Sequence, residues 1–112
     1  MENKQKRIYI SLPICGYEDT VFERSEAAKQ VAEKMGFIPM SPIDENEIDE
    51  SNIENHEDLT AEYMGNDICT LLKCDAILMC HDWNHSRSRG CRVELFTAIT
   101  YGLKVYFEDD FI

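Results

Sequence analysis

Residues 75–80 read Asp-Ala-Ile-Leu-Met-Cys, a near-continuous apolar run. A strand with one face in water carries a polar residue at every second position. This run does not, so it reads as a strand covered on both faces, as in a parallel sheet.

The sequence on either side follows the same logic. Before the run, Leu59–Cys74 places Leu59, Tyr63, Met64, Ile68, Leu71 and Leu72 on one side of a helix. After it come a loop, His81–Gly90, a helix, Cys91–Tyr101, closed by Gly102, and a last strand, Leu103–Phe107 (LKVYF). Toward the N-terminus, Arg7–Leu12 (RIYISL) is rich in β-branched and aromatic residues and reads as a strand. The loop Pro13–Asp19 contains the breakers Pro13 and Gly16, and Thr20-x-x-Glu23 has the form of a capping box. Val21, Ser25, Ala28, Ala32 and Met35 then recur at helical spacing up to Gly36, and Phe37–Met40 forms a short strand. Strands alternating with helices imply right-handed crossovers. The expected fold is therefore α/β, a three-layer Rossmann- or flavodoxin-like domain with a parallel sheet of four to five strands and helices on both faces. In such sheets ligands bind outside the carboxyl ends of the strands.

At 112 residues the chain forms one domain, residues 1–112, and 44% hydrophobic residues supply a core. No apolar run approaches the ~20 residues of a membrane span, and the polar start Met1–Arg7 carries no secretory leader. The cysteines Cys15, Cys69, Cys74, Cys80 and Cys91 are odd in number and mostly sit in apolar runs, which fits a reducing, cytoplasmic setting. The net charge of −11 repels nucleic acid and anionic membranes, so neither is an expected partner. Residues 44–58 hold eight of the acids and read as a solvated loop insert without calcium-ligand spacing.

Against that acidic background, Arg87, Arg89 and Arg92 alternate with Ser86 and Ser88 just before a helix start. Helix N-terminal N–H groups, guanidinium groups and hydroxyls together suit a phosphate. The other reading pairs these arginines with the acidic run. Glu94 is the only acid of its helix and has largely uncharged neighbours. It reads either as complementing the helix dipole from the first turn or as an ionised carboxylate able to attack a sugar carbon. Asp67 faces mostly apolar helical neighbours, so the two acids form a candidate acid and nucleophile pair. Asp75 opens the buried strand and reads as its cap. Trp83 and Tyr17 read either as stacking on a base or as covering the pocket mouth, and Tyr9 reads as core. Cys80, His81, Asp82 and His85 match no zinc spacing, so no metal is expected. The absence of a P-loop and of Gly-x-Gly-x-x-Gly leaves no expected cofactor.

Three segments together resemble the nucleoside 2-deoxyribosyltransferase-like superfamily: the first strand with its Ser-Leu-Pro-Ile-Cys-Gly turn, Asn-Asp-Ile-(x5)-Cys-Asp-Ala-Ile-Leu-Met, and Ser-x-Gly-x-x-x-Glu-Leu-x-x-Ala. More narrowly, the chain resembles that superfamily's short branch, a domain of unknown function, in which Trp83 followed by Ser86 is typical. The resemblance implies an N-glycosidic bond hydrolase or deoxyribosyltransferase acting on 2′-deoxynucleotides or nucleosides. It makes Glu94 the nucleophile toward C1′ and Asp67 the aspartate that binds the sugar and protonates the leaving base. Ser88, six residues before Glu94, takes the place of a phosphate-contacting serine, with Arg87 and Arg89 beside it. Gly16, Tyr17 and Trp83 complete the expected substrate-binding set. A non-catalytic nucleotide-binding module of the same fold is the alternative. The apolar helix around Phe96 and Ile99, together with the resemblance, implies a homo-oligomer.

Overall fold

A computed structural model describes residues 5–14, 16–45, 55–85 and 87–111. Its strands are β1 (Arg7–Ser11), β2 (Ile38–Met40), β3 (Ala76–Met79) and β4 (Lys104–Phe107). All pair in parallel, in the order β2-β1-β3-β4. The helices are α1 (Val21–Lys34), α2 (Pro42–Glu45), α3 (His56–Leu72) and α4 (Arg89–Thr100). The α/β reading with an all-parallel sheet is the observed fold.

The period-2 geometry of the two central strands builds both layers of core. Ile8, Ile10 and Leu12 on β1, with Ala76, Leu78 and Cys80 on β3, face Ala28 and Ala32 of α1. Tyr9, Ile77 and Met79 point the other way, toward Leu71 of α3 and Cys91 and Ala98 of α4. Burying an Ile or Leu side chain contributes about 1.5–3 kcal/mol, so the apolar run at 75–80 is a main anchor of the domain. Asp75 closes the amino end of this pair: it accepts from the Arg7 amide at 2.9 Å, and its own N–H donates to the Arg7 carbonyl at 2.9 Å.

Several boundaries differ from the sequence reading. The Thr20 capping box does not form. A 3-10 turn, Glu18–Thr20, leads into α1, and Thr20 is not in the extended conformation from which a cap side chain reaches N3. Its hydroxyl instead donates to the Tyr17 carbonyl and accepts from Arg24 Nε at 3.0 Å. Helix α3 begins at His56 rather than Leu59, because Asn55 accepts from the Asp58 amide at 2.8 Å and donates to the Asp58 carboxylate at 2.9 Å. The acidic stretch 44–58 is therefore helical at both ends, in α2 and in the first turn of α3, while 46–54 lie outside the described residues. Lys29 ties down its start through an ion pair with Asp44. Ser25 and Ser41, both buried, are hydrogen bonded at 2.7 Å and join α1 to the end of β2.

Among the described residues no helix is long and apolar enough to cross a membrane. Helix α4 leaves Val93, Phe96 and Ile99 exposed, so its outer face is apolar as its composition implies.

Candidate active site

Strand order fixes where the site lies. From β1 the chain moves to one edge of the sheet through α1, then returns past β1 through α3 to form β3. Beyond the carboxyl ends of β1 and β3 the connections diverge, leaving a crevice. Helix α4 starts there and carries Glu94 across the mouth.

Glu94 is only 4% exposed. Tyr9 Oη donates to its Oε2 at 2.8 Å, and Ser11 Oγ donates to its Oε1 at 2.7 Å. Tyr9 and Ser11 are two positions apart on β1 and so share the face toward α3 and α4. Burial pushes the Glu94 carboxyl up to about 8, and the negative charge of Asp67 pushes the same way, against the two hydroxyl bonds. This corrects two sequence expectations. The carboxyl is not simply ionised, since burial favours its protonated form. Nor does it complement the helix dipole: α4 starts at Arg89, which puts Glu94 in the second turn, where the dipole's effect has decayed.

A cavity of about 150 Å³ opens on this carboxyl, lined also by Leu12, Pro13 and Ile14, by Pro42, by Asp67 on α3, and by Arg87, Ser88, Gly90 and Cys91. Ser88 occupies the N-cap position of α4 without making a cap bond, and its hydroxyl is buried without a hydrogen-bond partner. Among the described residues no other buried side-chain polar atom is in that condition. A buried hydroxyl left without a partner costs about 1–3 kcal/mol, and at a cavity wall a water or a ligand atom would satisfy it.

A wider groove of about 740 Å³ runs between α3 and α4, past Tyr63, Met64, Arg89 and Val93, and meets the cavity at Asp67 and Gly90. The structure thus separates residues that the sequence grouped: Arg87 faces the cavity with Ser88, whereas Arg89 faces the groove. Among the described residues neither arginine forms an ion pair. The pairing of Arg87 and Arg89 with the acidic run does not occur within the described part of that run.

Gly16 and Tyr17 stand one layer out. A Cβ on Gly16 would sit 3.2 Å from Arg87 Cδ, so the bare backbone there is what lets the arginine stem pass. Tyr17 Oη donates weakly to Asp82 at 3.4 Å, while its ring meets His85 edge-on and lies under Arg24. Trp83 lines neither the cavity nor the groove. It packs against the α3–α4 side of the core and beside Phe107, at 5.9 Å between ring centroids. The turn after β3 folds its indole onto β4, outside both hollows. Among the described residues no group of three or more His, Cys, Asp or Glu side chains is placed to hold a metal.

The sequence reading missed Tyr9 and Ser11 as site residues. Their signal was present: two hydroxyl-bearing residues at period 2, at the carboxyl end of a strand that is otherwise apolar. A family model described as a domain of unknown function, DUF4406, matches residues 6–107. The chain belongs to the DUF4406 family. The matched span runs from the start of β1 to the end of β4, so every residue placed at the cavity falls within this DUF4406 domain. No curated protein matches the chain.

Proposed function

We propose that this DUF4406 protein acts on the N-glycosidic bond of 2′-deoxynucleotides or nucleosides, as a hydrolase or deoxyribosyltransferase, with Glu94 as nucleophile. One observation carries the reading. A buried carboxyl at the carboxyl edge of a parallel sheet is gripped on both oxygens by β1 hydroxyls and opens on a cavity that also holds Asp67 and the unpartnered Ser88 hydroxyl. The resemblance of these segments to the nucleoside 2-deoxyribosyltransferase-like superfamily supports it.

The chemistry follows from the two acids. Burial first, and the charge of Asp67 with it, raise the proton affinity of Glu94, which favours a proton on that carboxyl. For reaction that proton moves to the leaving-group side. The Glu94 carboxylate then attacks C1′, the C1′–N bond breaks with its electron pair going to the base, and Asp67 delivers the proton to the base. Water or a second base attacks C1′ of the glycosyl-enzyme, returns Glu94 as a carboxylate, and gives up its own proton to Asp67. Ser88 and Arg87 hold a 5′-phosphate at the cavity wall; Arg89 reaches ligand atoms only from the groove side. No metal or organic cofactor enters this scheme. The reading makes the protein a cytoplasmic enzyme with a small-molecule partner. The exposed Val93, Phe96 and Ile99 on α4 support a homo-oligomer, which gel filtration tests directly.

The test is base release from a panel of deoxynucleoside 5′-monophosphates and the matching nucleosides, read by chromatography, for wild type and Glu94→Ala. Release that depends on Glu94 is expected, with monophosphates preferred. Full activity in Glu94→Ala ends the mechanism. A second reading, a nucleotide-binding module without turnover, draws on the raised proton affinity of Glu94. Calorimetric binding without base release from any panel member would favour it.

A further inference from the structure

Ser88 and Glu94 belong to one helix and wall one small cavity. Ser88 is the N-cap residue of α4, is 4% exposed, and carries a hydroxyl without a hydrogen-bond partner. Gly90 and Cys91 of the first turn line the same cavity, and first-turn N–H groups have no acceptor inside their own helix. With Arg87 on the same wall, hydroxyl, amides and cation together make a place for an anion. Glu94 stands only about 9 Å further along the helix axis, at 1.5 Å per residue, and a helical side chain leans back toward the N-terminus. It is buried, so little water screens its carboxyl from a charge in the cavity.

We infer that an anion on the Ser88 wall and the ionised form of Glu94 exclude one another, so that a ligand's phosphate enters with a proton on Glu94. The charged groups of the cavity are Glu94, Asp67 on α3 and Arg87. A dianion added to two ionised carboxylates outweighs that single cation, and a proton on one carboxylate relieves the excess. Glu94 is the one to take it, since it is buried deeper than Asp67 and burial already pushes it up to about 8. The other groups around Glu94 are Tyr9 and Ser11 on β1, Cys80 after β3, and Cys91 on its own helix. Burial raises the Tyr9 phenol and both thiols, so they stay neutral while Glu94 titrates. What the proton does next rests on the glycosidic reading. It passes from Glu94 to Asp67 and from Asp67 to the departing base nitrogen, which keeps the C1′–N electron pair while Glu94 bonds C1′.

Sulfate is the probe, because it stays a dianion from pH 6 to pH 9 and is read without turnover. An anion that raises Glu94 by about one to two pH units makes the wild-type affinity fall about five- to tenfold from pH 7 to pH 9 in calorimetric titration. At pH 8 about half a proton is taken up per sulfate, read from buffers of different ionisation enthalpy. Glu94→Gln, checked as folded by its melting curve, binds sulfate with an affinity that changes less than about twofold over that range, and without the uptake. Ser88→Ala lowers the affinity at pH 7 about tenfold. Wild-type binding equal at pH 7 and pH 9, the same fall in Glu94→Gln, or an affinity untouched in Ser88→Ala overturns the inference. So does an absence of sulfate binding at pH 7, which leaves the Ser88 hydroxyl to water. Proton-linked sulfate binding in a protein that releases no base upholds the inference and ends the glycosidic reading, whereas base release without the linkage does the reverse.

Discussion

Tyr9 and Glu94 lie 85 positions apart in sequence and meet in a buried hydrogen bond of 2.8 Å between the phenol and Oε2. Burial, with the Glu94 charge next in weight, raises the Tyr9 phenol well above its ordinary value, so it remains a donor at every physiological pH. Tyr9→Phe keeps the ring in its core position and removes that donor alone. A hydrogen bond to a charged group contributes about 1.5–3 kcal/mol, so kcat should fall about 10- to 100-fold with the fold intact. Circular dichroism and steady-state kinetics on the same preparation check both halves.

The raised Glu94 carboxyl makes stability depend on pH. Its native value of about 8 stands above the ordinary 4.5, so between those values the native state binds more protons than the unfolded chain. This contribution is fully present below about pH 4.5 and is lost as pH rises to about 8, a loss on the order of a few kcal/mol. Glu94→Gln has nothing to ionise. Its melting temperature should exceed that of wild type by a margin that widens from pH 5 to pH 8, read by differential scanning calorimetry at both pH values.

Ser88 is buried with an unpartnered hydroxyl, and it costs stability where it stands. Ser88→Ala should leave the melting temperature unchanged or raise it, while erasing any preference for monophosphate over nucleoside. Chromatographic rates on matched substrate pairs give that ratio. A lower melting temperature would show that the hydroxyl serves the fold.

Gly16 has φ of +88°, a left-handed conformation that L side chains rarely adopt. A new Cβ would also press on the Arg87 stem at 3.2 Å. Gly16→Ala should destabilise by about 1–2 kcal/mol and weaken monophosphate binding by displacing Arg87. Urea unfolding and calorimetric titration with a deoxynucleoside monophosphate measure the two effects.

Much of this architecture is legible from local pattern. The run at 75–80 and the alternation of elements give the parallel sheet, because burial on both faces writes itself directly into composition. Glu94 and Asp67 stand out as acids in apolar helical surroundings and Ser88 as part of the Arg-Ser cluster before a helix start, and the structure brings all three to one cavity. What the sequence hides is direction. Arg87 and Arg89 look equivalent two positions apart, yet they face different hollows, because the helix starts between them. Trp83 looks like a mouth residue until the turn after β3 folds it back onto Phe107. The proton affinity of Glu94 depends on how deeply α4 sinks it against β1, a property of tertiary packing that no spacing reports.

The central claim is covalent attack by Glu94 on an anomeric carbon. Intact-protein and peptide mass spectrometry after a rapid acid quench, with a deoxynucleoside monophosphate that releases its base, reads that step. The account predicts a deoxyribosyl phosphate adduct on the peptide containing Glu94 in wild type and none in Glu94→Gln. Base release undiminished in Glu94→Gln, or an adduct carried by another residue, would contradict it.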